Sequence, residues 1–83
     1  MKSARHPSAE ADHLTRLIEE RPAAAVHYLL RGEEWLAGGD PGQARDDLTM
    51  ARDLALRGLH DNPWGYVLQA YIDRADAGLR QCE

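Results

Sequence analysis

Gly38-Gly39-Asp40-Pro41-Gly42 is the stretch on which the reading of this chain turns. Glycine takes the left-handed backbone conformation that closes a helix without a steric penalty. Asp40 is a good N-cap, and Pro41 fits the first helical position, where its missing N–H is not needed. One helix therefore ends near Ala37 and another begins at Pro41. So little chain lies between them that they must form an antiparallel hairpin. The stretch lacks the lysine and Ser/Thr of a phosphate loop and follows no strand, so it reads as a helix–helix turn.

Working outward, the helix before the turn spans about 23–37 and opens on the strong helix formers Ala23-Ala24-Ala25. The helix after it spans 41–58, with Gly58 near its end. Ala44, Leu48, Ala51 and Ala55 form one apolar stripe there, widened by Met50, Leu54 and Leu56, and Asp53 and Arg57 stand at i, i+4 spacing. Asn62-Pro63 repeats the start signal. It opens a helix over 63–80 whose face carries Trp64, Val67, Leu68, Tyr71, Ala75 and Leu79, with Asp76 and Arg80 as another i, i+4 pair and a frayed end near Gln81. At the other end, Ser8 caps a helix over 8–20, with Glu10 and Asp12 in its first turn and Ala11, Leu14, Leu17 and Ile18 at helical spacing. Arg21-Pro22 ends it, because the residue before proline is pushed out of the helical region. No segment alternates apolar and polar residues as a strand does. The expectation is an all-α fold of four helices in antiparallel hairpins, one domain over residues 8–83 behind a flexible N-terminus of residues 1–7.

Composition bounds the function. The chain has 83 residues, 43% hydrophobic and 29% charged, which is ordinary globular composition with little core to spare for a deep pocket. The net charge is −4 and Lys2 is the only lysine, against the basic footprint that nucleic-acid binding needs. The single cysteine, Cys82, excludes an internal disulfide framework and reads as a free thiol on a frayed terminus. No apolar run nears the ~20 residues that span a bilayer. No apolar segment follows the start in the manner of a secretory signal, so the protein is read as cytoplasmic.

The chain from Tyr28 to Ala51 resembles a tetratricopeptide repeat, a helix–turn–helix unit of about 34 residues. Tyr28 takes the first large position, Gly32 and Trp35 follow at the family's offsets, Gly39-Asp40 stands at the turn, and Ala44, Leu48 and Ala51 take the second-helix positions. Pro22 sits where the preceding unit would close, and Trp64 and Tyr71 resemble the first helix of a following one. The resemblance implies half a repeat, one repeat and half a repeat, wound as a short helical superhelix. It implies that Gly32 and Ala44 let two backbones approach, with Tyr28, Trp35 and Leu48 around that contact. The chain departs from the family pattern at Arg31, where leucine is usual, at Leu68, where a small residue is usual, and at Pro63, which comes four residues late.

Candidate sites follow. No two of His6, His13, His27 and His60 have metal-ligand spacing on one helix, so all four are read as solvent-facing or capping. Glu19-Glu20, Glu33-Glu34 and Asp46-Asp47 are adjacent residues pointing about 100° apart on a helix, and read as solvated faces. No nucleophile, base and orienting group converge, so neither an enzyme nor a cofactor is expected. The helix over 23–37 is apolar around most of its circumference, which indicates burial on two sides. First helices line the concave binding face in the family that the chain resembles. Carried over, that face comprises Val26, Leu29, Leu30, Glu33, Leu36 and Ala37, joined by Tyr66, Gln69 and Ile72. The alternative is that a neighbouring helix of the same chain covers these residues. The expected function is a protein- or peptide-interaction module, an adaptor, chaperone-like binder or self-associating homodimer, with Arg31 and Glu33 free for polar pairing at its rim. The alternative function is a small helical DNA-binding or regulator domain, for which the last helix offers only Arg74 and Arg80.

Overall fold

A computed structural model describes residues 9–61 and 65–83 of the protein. Within them the chain is all-α: α1 is Ala9–Glu20, α2 Ala25–Ala37, α3 Pro41–Asp61 and α4 Gly65–Gln81. The reading of residues 1–7, the Ser8 and Asn62 caps, Pro63 and Trp64 lie outside the described residues.

The α2–α3 turn closes as its sequence requires. Gly38 keeps helical dihedrals, and Gly39 takes the left-handed conformation, φ 84°. The Gly39 N–H then donates to the Leu36 carbonyl at 3.1 Å and the Asp40 N–H to the Trp35 carbonyl at 2.9 Å, the two bonds of a Schellman end. Asp40 caps α3, its Oδ1 accepting from the Gln43 N–H at 3.2 Å. Two boundaries differ from expectation. Ala24 is extended, φ −85° and ψ 103°, and has no side-chain atom to cap a helix, so α2 begins at Ala25 and not at Ala23. And α3 runs through Gly58 to Asp61. Gly58 is a point of close approach: a methyl group there would lie 3.0 Å from Leu68 Cδ1 of α4.

Helix α3 packs against α2 on one side and α4 on the other; α2 also touches α4, and the α1 backbone approaches α2 alone. The slab is 15 Å thick at the Cα atoms, which is two helices about 10 Å apart. Fully buried Leu48 is its centre. A methyl group at Gly32 of α2 would lie 2.7 Å from Leu48 Cγ, and one at Gly78 of α4 would lie 2.7 Å from Leu48 Cδ1. Two glycines thus hollow the flanking helices around one leucine. Gly32 meets Leu48 and Asp47 of α3, one turn beyond the Ala44 partner that the sequence suggested. Ala44 is itself fully buried beside them, and Tyr28 and Trp35 pack on the same cluster.

Cys82 corrects an expectation. It belongs to this cluster, 7% exposed, with its thiol donating to the Gly78 carbonyl at 3.4 Å. Its own carbonyl accepts from Arg45 Nη2 at 2.9 Å, so the end of α4 is docked against α3 and not frayed.

Candidate functional site

The wheel of α2 divides the proposed binding residues. Ala25, Leu29 and Gly32 mark its buried side, directed at α3 and α4. Leu29 is 0% exposed and Ile72 of α4 is 6% exposed, so both are core and cannot meet a partner. Leu36 is partly buried against the central cluster, where its Cδ1 would lie 3.4 Å from a methyl group at Gly78. These three are covered within the chain, because a small domain needs every large apolar side chain for its core.

The remaining α2 residues form a run at helical spacing. Val26 is half-buried, Leu30 is 36% exposed, Glu33 is half-buried and Ala37 is exposed. Glu33 reaches the neighbouring helix. Its carboxylate accepts from Arg74 Nε at 3.1 Å and from Arg74 Nη2, a two-point pair that bridges α2 and α4. That hydrogen bond, against the pull of partial desolvation, holds the Arg74 guanidinium above its ordinary pKa. Ala70 stands one turn before Arg74, on the same side of α4. Gln69 points away from this side and donates to Asp73 Oδ1 at 3.1 Å along its own helix. Tyr66, 71% exposed, is the most exposed large hydrophobic residue on α4. Of these α4 residues, Arg74 reaches Glu33 of α2, Ile72 is core beside Ala25 of α2, and Gln69 pairs along its own helix.

Arg31 and Glu33 are not free rim charges. Arg31 Nε and Nη2 each donate to Asp47 at 2.7 Å, and Arg31 Nη1 donates to Thr15 Oγ1 at 3.0 Å. Its guanidinium carbon lies 5.9 Å from the Tyr28 ring centroid. One arginine thus joins α1, α2 and α3. The Asp47 hydrogen bond holds its pKa above the ordinary arginine value despite partial burial. Asp47 is 5% exposed while Asp46 is exposed, so the acidic pair is not a solvated face. The signal for Asp47 was its position three residues after Ala44 and four before Ala51, on the apolar stripe itself. Asp76 likewise reaches across to Arg52 of α3 at 2.9 Å and not along α4 to Arg80.

His27 also differs from expectation. It is half-buried, and its Nδ1 is enclosed without a hydrogen-bond partner. His13 and His60 are exposed. Among the described residues no group of three or more His, Cys, Asp or Glu side chains is placed to hold a metal ion, and no helix there is long and apolar enough to cross a membrane. Comparison with protein-family models, with curated proteins and with solved structures found no match to this chain.

Proposed function

We propose that this protein is an interaction module that binds a partner helix or peptide, or a second copy of itself, along the side of α2 that borders α4. The observation that carries this reading is Leu30, a large apolar side chain 36% exposed on the helix that contacts each of the other three. It stands between half-buried Val26 and exposed Ala37, in a run with the i, i+4, i+7 spacing that helix-in-groove recognition uses. The Glu33–Arg74 pair bridges α2 and α4 beside that run. The order of contacts, α2 with both α3 and α4, is also what a tetratricopeptide-like stacking of hairpins would produce, and first helices would then line the binding side. The reading assigns no catalytic residue and no cofactor.

The test is Leu30→Glu. Association is measured by sedimentation velocity, for the protein alone and with the protein that co-purifies with it, and folding by circular dichroism. The expected outcome is loss of association with the helical signal unchanged, because Leu30 is already partly in water. A folded variant that associates as the wild type does refutes this face.

A further inference from the structure

We infer that α1 is a detachable helix: it opens from α2 while α2, α3 and α4 stay folded around their own core. Among the described residues, neither buried cluster includes one from α1. The first gathers Leu29, Ala44, Leu48, Ala51, Ala75 and Cys82, and the second Ala25, Ala55 and Ile72, all from the chain after Ala24. Among the described residues of α1 the buried side chains are Leu14 and Ile18, four residues apart on one face, with Leu17 half-buried beside them, and its backbone meets α2 alone. A helix held by one neighbour through a narrow apolar stripe belongs to the low-stability end of a fold.

The Arg31 contacts are arranged so that the loss of Thr15 leaves the charge pair with Asp47 in place. Arg31 Nη1 donates to Thr15 of α1, while Nε and Nη2 of the same guanidinium hold Asp47. Loss of Thr15 leaves the bidentate pair intact and exposes one Arg31 N–H to water. The connection between α1 and α2 also loses little. The first turn of α2 has no side-chain cap to forfeit, and Ala25 is anchored from the far side in the second cluster.

Opening would uncover two complementary surfaces: the Leu14–Ile18 face of α1 and the flank of α2 around Arg31. That flank is turned about 100° around α2 from Leu30, so it is a second surface beside the face proposed above. The occupant that it fits is an amphipathic helix of the α1 kind. Such a helix has apolar residues four apart and a hydroxyl beside the first of them, as Thr15 stands beside Leu14.

Hydrogen exchange of the full chain, read by mass spectrometry in increasing urea below the unfolding transition, tests the proposal. The amides of residues 15–21 should exchange at least about tenfold faster than those of α3, with a urea dependence clearly smaller than that of α3 and α4, because opening α1 exposes less surface than global unfolding does. In a Leu14→Ala, Ile18→Ala variant the α1 amides should speed up by roughly another tenfold, while α3 and α4 stay within about twofold of the wild type. A fluorescent peptide with the sequence of residues 9–20 should bind this variant more tightly than the wild type, because the weakened helix no longer competes from within the chain. Exchange of α1 only together with α3 and α4, already in the wild-type protein, overturns the proposal. So does a peptide that binds the variant no better than the wild type.

Discussion

Gly32 and Gly78 are where a single atom decides packing. Both face Leu48, which is fully buried, and at either glycine a methyl group would lie 2.7 Å from a leucine carbon. The atom met at Gly32 is Cγ, the branch point of the side chain, so Leu48 cannot clear it by moving one methyl. Gly32→Ala is therefore expected to lower the unfolding free energy by about 1–3 kcal/mol through overpacking. This outweighs the better helix propensity of alanine, which is worth about 1 kcal/mol in the other direction. Urea unfolding followed by circular dichroism measures the difference, and a stabilised variant would mean that α2 and α3 are not in this register. Asp47 shows the opposite case, a charge where the apolar stripe asks for a hydrophobe. Its lone pairs are met by Arg31 from the next helix, which is why a buried carboxylate is tolerated at this position.

The ends of the helices follow local chemistry, and their lengths do not. The Gly39 backbone bends into the left-handed region and Asp40 caps α3 by direct contact with its third residue. Asp40→Ala removes that acceptor and should destabilise the fold by roughly 1 kcal/mol, with Asp40→Asn close to the wild type. Thermal melts of the three proteins give the comparison, and an alanine variant as stable as the wild type would exclude a working cap. Gly58 carries no such stop. The helix continues because Leu59 lies on the second cluster, and the absent side chain of Gly58 admits Leu68 of α4. A glycine near the end of an apolar stripe can thus be either a terminator or a docking point. Only the partner helix distinguishes the two.

Across the molecule, the polar ties differ in what they contribute. Arg52–Asp76 and Glu33–Arg74 have side chains between 35% and 49% exposed, whereas Arg31–Asp47 is 20% and 7%. Exposed pairs are worth at most about 1 kcal/mol each and are screened by salt. The fold rests instead on leucine and alanine contacts among α2, α3 and α4. Raising sodium chloride to about 0.5 M should accordingly shift the melting temperature by less than about 5 °C, given that 1 kcal/mol corresponds to roughly 4–8 °C in a domain of this size. A much larger fall, seen by circular dichroism, would show that surface charge holds the helices together.

Sequence alone determined the helical class, the four elements, the hairpin at Gly39-Asp40 and the buried stripe Ala44–Leu48–Ala51–Ala55. These are legible because capping, glycine conformation and helical periodicity act over a few neighbouring residues. The resemblance to a helical repeat also marked Arg31, with Leu68 and Pro63, as a departure from that pattern, without revealing the partner of Arg31. Tertiary structure alone decided that Leu29 and Ile72 are core while Leu30 meets water, that Asp47 and not Asp46 turns inward, that Cys82 is buried, and that Arg74 reaches across to Glu33 of α2. Each of those outcomes depends on which face of a helix its neighbour covers. An apolar helix such as α2 offers several faces of similar hydrophobicity, so residues distant in the chain choose among them. Leu48 between two glycines, and Asp47 opposite Arg31, fix the rotation of α2 against α3, and the position of every surface residue on α2 follows from that rotation.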